Sequence, residues 1–148
     1  PKWKGKIYIV GKEGKQSSIV KKIVKEINNK SIILINQLSS ESLKKLMRKS
    51  FLLISPSLME GFNYPIIEAM SMGLPTLISD IPVHKEIYEG SSLFFKMNDD
   101  GENMSDLVLD LYKNNILWSD LSNKGFCLAK KFSVKRQQNN IKKILDLS

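Results

Sequence analysis

The chain has 148 residues, 42% of them hydrophobic and 26% charged, with a formal net charge of +8. That size and balance fit one soluble globular domain over residues 1–148, large enough to bury a core without staples. They exclude an internal disulfide, since Cys127 is the single cysteine, and a membrane-spanning helix, since no apolar run approaches the roughly 18 residues one needs.

Lys6–Gly11 (KIYIVG) is a short β-branched run stopped by glycine and reads as a buried strand. QSSIVKKIVKEINN follows, with Ile19, Val20, Ile23, Val24 and Ile27 at helical spacing. Ser31–Ile35 is the second strand. SSESLKKLMRK opens on a serine cap signal and puts Leu43, Leu46 and Met47 on one helical face. Phe51–Ser55 is the third strand, and a helix started by Pro65 (PIIEAMSM) ends at Gly73. Pro75–Ser79 is the fourth strand, a short helix follows Pro82, and Ser92–Lys96 is the fifth strand. From about Asn103 the pattern gives two or three helices, broken near Asn114–Asn115 and at Phe132–Ser133. Strands alternating with helices imply an α/β fold with a doubly wound parallel sheet, Rossmann-like. The strands are near-continuous apolar runs, as expected when both faces are covered.

The charge is uneven. Residues 1–50 carry 13 basic side chains against 3 acidic, residues 51–120 carry 3 against 11, and residues 121–148 carry 7 against 1. Basic ends can serve an anionic membrane surface or nucleic acid. The lysines mostly sit on polar helix faces, without the interleaved aromatics of a single-strand binder, so no nucleic-acid partner is expected. Peripheral membrane association of a longer parent stays open. The first residue is Pro, and the chain reads as part of something longer.

Doubly wound sheets bind ligands where strands end and helices begin. The stretch SLMEGFNYPIIEAMSMGLPTLISD (57–80) follows the third strand and lies on that rim. Pro65 has no N–H and a fixed φ, which suits a first helical turn. The free N–H groups and positive dipole end just before it attract an anion such as a phosphate. Gly61 lets the backbone approach a ligand, and Asn63 tolerates left-handed φ better than most residues. Glu68, one turn into the helix, has only acceptors to offer and can take both hydroxyls of a ribose. Glu60, from the loop, would meet another part of the same ligand. The spacing also fits plainer roles: Glu68 is favourable early in a helix through the dipole alone, and Glu60 suits an exposed turn.

PSLMEGFNYPIIEAMSMGLPTLIS resembles the nucleotide-sugar-binding segment of the retaining glycosyltransferases of family 4, whose pattern runs P-S-x-x-E-G-F-G-x-P-x-x-E-A-M-x-x-G-x-P-V-x-x-S. Pro56, Ser57, Glu60, Gly61, Phe62, Pro65, Glu68, Ala69, Met70, Gly73, Pro75 and Ser79 stand in register. IYIVGKEG and FSVKRQQNNIKKIL are similar to an early strand and the final helix of that family's C-terminal domain. The resemblance implies the donor-binding, C-terminal half of a GT-B enzyme. Such an enzyme moves a sugar from a UDP-, GDP- or ADP-linked donor to a hydroxyl on a glycan or lipid-linked acceptor, without a metal or other cofactor. It implies a site of ribose-binding Glu68, sugar-contacting Glu60 as the catalytic-site carboxylate, the Gly61–Phe62–Asn63–Tyr64 loop facing diphosphate and sugar, and Gln37–Leu38 beside the base. Asn63 replaces the usual glycine and Tyr64 a small apolar residue. The resemblance puts the family's phosphate-binding Arg and Lys before Pro1, which leaves Lys12 and Lys15 as the nearest basic candidates. The acceptor domain is missing, so this chain should bind donor weakly and transfer little. A surface-glycan acceptor and a cytoplasmic location, at the inner membrane face, fit the resemblance. The alternative is a non-catalytic nucleotide-binding module, or a subunit that needs a partner chain.

Four other residues read as structural: His84 as a surface or capping residue, Cys127 as a buried inert thiol, and Trp3 and Trp118 as packing aromatics. Asn98–Asn103 (NDDGEN) reads as a solvated acidic turn.

Overall fold

A computed structural model describes residues 5–12, 14, 17–97 and 101–145. Trp3 and residues 98–100 of the acidic turn lie outside them. The chain divides into two compact units, Pro1–Leu46 and Met47–Ser148.

The first unit holds β1 (Ile7–Val10), α1 (Ser17–Ile27), β2 (Ile32–Ile35) and most of α2 (Ser40–Lys49). β1 and β2 pair in parallel, Ile7 opposite Ile32 and Val10 opposite Ile35. The serine signal at α2 is real: the Ser39 hydroxyl accepts from the Ser42 amide at 3.2 Å. The first strand is not buried, however. Ile7, Tyr8 and Ile9 are 48%, 40% and 42% exposed. A two-stranded unit has too little apolar surface to cover both faces of its sheet.

In the second unit β3 (Leu53–Ser55), β4 (Thr76–Ser79) and β5 (Leu93–Phe95) form a parallel sheet with β4 central. Every residue of β4 is buried, as a strand covered on both faces requires. Helices α3 (Tyr64–Ser71), α4 (Pro82–Tyr88), α5 (Glu102–Lys113), α6 (Asn115–Lys131) and α7 (Val134–Leu145) complete the unit. The α/β class with parallel strands expected from the sequence is the class found.

Local chemistry sets the ends of these helices. α3 stops at Gly73, whose φ of 73° suits glycine; the Gly73 and Leu74 amides donate back to the Met70 and Ala69 carbonyls, both at 3.0 Å. α6 starts where the Asn114 side chain accepts from the Leu117 amide at 2.9 Å. Ile66, Met70, Ile78, Tyr88 and Ala129 form the core. Trp118 donates from Nε1 to the Phe51 carbonyl at 2.9 Å and stacks on that ring, the packing role expected of it. Cys127 corrects the reading above: it is exposed on α6. It follows Phe126 on the helix side away from the buried positions Leu121, Gly125 and Ala129.

α3 and α6 cross closely at Gly125, where an added Cβ would lie 3.0 Å from Met70 Cγ. Gly125→Val should therefore force the helices apart and cost about 1–3 kcal/mol. A thermal melt showing an unchanged or raised midpoint would contradict this close crossing.

Candidate functional site

The loop between β3 and α3 carries most of the predicted site. Glu60 is exposed, and its Oε1 accepts from the Ser57 hydroxyl at 2.8 Å. Gly61 is exposed, and an added Cβ there would meet no protein atom within 4 Å, so the space above it is open to a ligand. Phe62 is half-buried between Tyr64, at 5.0 Å between ring centroids, and Phe132, at 5.2 Å. Tyr64 itself is 70% exposed.

Asn63 occupies the left-handed region, φ 64° and ψ 68°, at the N-cap of α3. This is the conformation that glycine takes at no cost and that asparagine takes more readily than other residues. Its side chain turns inward and is 8% exposed. Nδ2 lies 2.9 Å from Ser55 Oγ, 3.2 Å from His84 Nε2 and 3.4 Å from Ser57 Oγ. The α3 N-terminus has no side-chain cap, and Pro65 brings no donor. Glu68 is exposed on α3 and lines a concavity of about 330 Å³ with Ile67, Ser71, Phe126, Lys130, Phe132 and Ser133.

The remaining candidates lie in the first unit. Lys12 is exposed and lines a concavity of about 480 Å³ with Gly11, Gly14, Lys21 and Asn36, where β1 and β2 end. Gln37 is exposed and Leu38 half-buried in the loop after β2. Lys15 lies outside the described residues. The structure thus groups Glu60, Gly61, Phe62 and Asn63 on one loop with Glu68 a turn beyond, and places Lys12, Gln37 and Leu38 at the strand ends of the other unit.

His84 is not a surface residue. It is fully buried, because α4 turns its ring toward β4 and the Asn63 side chain. Its Nδ1 lies 2.9 Å from the Ser79 carbonyl, which can only accept, so the ring carries its proton on Nδ1 and accepts from Asn63 on Nε2. Tyr88, one turn later, is also fully buried. Its hydroxyl donates to the Phe62 carbonyl at 2.6 Å and lies 3.3 Å from the Asn63 carbonyl. The Ser79 hydroxyl donates to the Ser57 carbonyl at 2.5 Å. Sequence reasoning missed this support, although His84 and Tyr88 are four apart on one helix and so share a face.

Burial, and secondarily the Glu60 carboxylate, push the Tyr88 phenol from 10.0 up to about 12. The sign follows from proton linkage: between about pH 10 and 12 the unfolded chain has lost this proton while the folded one keeps it. The stabilisation is therefore complete below pH 10 and lost as pH rises through 12, amounting to about 2–3 kcal/mol. Urea midpoints in that window should fall more steeply for the wild type than for Tyr88→Phe, and parallel slopes would refute the assignment.

Several known proteins are similar to this one. The family model for glycosyl transferases group 1 matches residues 4–128. The serotype-specific mannosyltransferase WbdA of Escherichia coli is 37% identical over 117 residues, covering 74% of this chain and 14% of that protein. The O-antigen chain mannosyltransferase RfbU of Salmonella typhimurium is 31% identical over 94 residues, covering 64% of this chain and 27% of that protein. The chain thus spans less than a third of either relative's length. Among solved structures, HepE of Anabaena in complex with UDP and glucose superposes with a TM-score of 0.83 at 16% identity, over 97% of this chain and 41% of HepE. Sucrose-phosphate synthase of Thermosynechococcus elongatus gives 0.80 at 18% identity, over 97% of this chain and 39% of the synthase.

Proposed function

The chain belongs to the group 1 glycosyl transferases, and from that premise we propose that it is the donor-binding part of a retaining, family 4 enzyme. Such an enzyme moves a sugar from a nucleoside diphosphate to a hydroxyl acceptor. The observation that carries this reading is the β3–α3 loop: exposed Glu60, the open space above Gly61, an uncapped helix start and exposed Glu68 follow one another along one rim.

Glu68 would accept hydrogen bonds from the ribose hydroxyls. The first amides of α3 and the loop amides of residues 61–63 would face the diphosphate. As the leaving diphosphate gains charge, fixed N–H groups aimed at it stabilise the transition state without reorganising. Glu60 would hold the transferred sugar, with the Ser57 hydroxyl fixing its carboxylate at 2.8 Å. Within the first unit, Lys12 and Lys15 are proposed as phosphate-binding residues and Gln37 and Leu38 as neighbours of a base, on the family resemblance. No metal or cofactor is invoked.

The mannosyltransferase names of the relatives make a mannosyl donor the first to test and a surface glycan the acceptor class to expect. Among the described residues no helix is long and apolar enough to cross a membrane. We place the reaction on the cytoplasmic side, at the membrane face where lipid-linked acceptors are met. Transfer itself would need an acceptor-binding domain.

An amide-shift titration of the chain with UDP, GDP and ADP tests the reading. Shifts clustered at 61–68 with one base preferred are expected. A folded chain that responds to none of the three would leave a non-catalytic module.

A further inference from the structure

Two buried side chains of α4 reach the donor loop from beneath, and neither belongs to the surface a donor would touch. His84 holds the Asn63 side chain through Nε2 at 3.2 Å while its Nδ1–H is fixed on the Ser79 carbonyl at 2.9 Å. Tyr88 holds the Phe62 carbonyl at 2.6 Å, with the Asn63 carbonyl at 3.3 Å. We infer that His84 and Tyr88 are positioning residues that set the height and orientation of the donor loop, with His84 acting through Asn63. The inference rests on the proposed donor site and adds its control from behind.

The physical case is one of constraint. A glycine at position 63 would take the same φ but leave the loop without a side-chain tether. Asparagine keeps the left-handed turn and adds a donor that is fully used inside. The amide has two hydrogens, and its two shorter contacts are Ser55 Oγ at the end of β3 and His84 Nε2. The loop is thereby tied to the sheet on one side and to α4 on the other. Tyr88 adds a backbone anchor: its single hydroxyl hydrogen donates to the Phe62 carbonyl at 2.6 Å, with the Asn63 carbonyl 3.3 Å away. Ser57 Oγ, which donates to Glu60, lies 3.4 Å from Asn63 Nδ2 as a packing neighbour, both amide hydrogens being used by Ser55 and His84. A shift of Asn63 at His84 therefore presses on Ser57, whose hydroxyl holds the Glu60 carboxylate at 2.8 Å. Tenths of an ångström matter at such a carboxylate, because transition-state contacts depend on placement.

The test is a double-mutant cycle of His84→Ala and Asn63→Gly in this chain, titrated with GDP-mannose and UDP-glucose, together with ¹⁵N spectra of the unliganded wild type. The wild-type spectrum should show an imidazole protonated on Nδ1, with a scalar coupling between its Nε2 and Asn63 Nδ2. Each single variant should weaken the preferred probe about tenfold, the worth of one lost hydrogen bond in a buried network. The double variant should be no weaker than the worse single one, because both changes cut the same tether. Additive losses, or an imidazole protonated on Nε2, would overturn the inference. If the wild type binds neither probe, the donor reading fails on its own. The inference is then judged on unliganded spectra, where Gly61 and Phe62 amides must move alike in both single variants and unmoved amides sink it. If His84→Ala does not fold, the ring tautomer and coupling in the wild type decide.

Discussion

Glu68→Ala should weaken binding of the preferred nucleoside diphosphate by about 10- to 100-fold while leaving the fold intact. The side chain is exposed on α3, so its removal opens no buried cavity. What it would lose is a pair of hydrogen bonds from ribose hydroxyls to a charged acceptor, each worth about 1.5–3 kcal/mol in a protein site. Solvent access to α3 reduces that sum, which is why one to two decades are expected and not four. Calorimetric titration of wild type and variant with UDP, GDP and ADP gives the answer, and Glu68→Gln separates charge from shape. An affinity unchanged within twofold would mean that Glu68 serves only the helix dipole, and the ribose assignment would fall.

Asn63→Ala should be the most damaging single change in the loop, at about 2–5 kcal/mol of stability. Two costs combine. A residue with a Cβ and no local hydrogen bond pays about 1–2 kcal/mol to sit at φ 64°. Deleting the amide also leaves buried His84 Nε2 without its donor, at about 1–3 kcal/mol. Asn63→Gly removes the first cost and keeps the second, so it should fall between wild type and Ala. Urea unfolding followed by circular dichroism ranks the three. Glycine as costly as alanine would show that backbone strain plays no part, and a loss below about 0.5 kcal/mol for alanine would mean that the tether stores no energy.

These two residues also show where sequence reasoning reaches and where it stops. The left-handed turn at Asn63 was legible because few residues tolerate φ above zero, and asparagine in a glycine position is a narrow signal. The stop of α3 at Gly73 and the break before Asn115 were legible for the same kind of reason: they are decided by hydrogen bonds within a few residues. Where the Asn63 side chain goes was not legible, because its partners are Ser55, eight residues back, and His84, 21 residues on. His84 itself looked like a surface histidine in IPVHKE. Its burial depends on which face of α4 meets β4 and the loop, and seven residues of helix are too few for periodicity to say. Cys127 failed in the opposite direction: an amphipathic stretch has two faces, and only the crossing at Gly125 fixes which one is inside.

The sequence by itself determined the order of strands and helices, the parallel α/β class, the helix ends and the loop that carries the candidate site, because each is written in contacts between near neighbours or in residue types with few alternatives. The tertiary structure alone decided that the first strand is half exposed, that α3 and α6 meet at a glycine, and that His84 and Tyr88 stand beneath the loop. Those facts depend on which distant surfaces come together to exclude water, and that is a property of the whole packed chain, which no short window of residues contains.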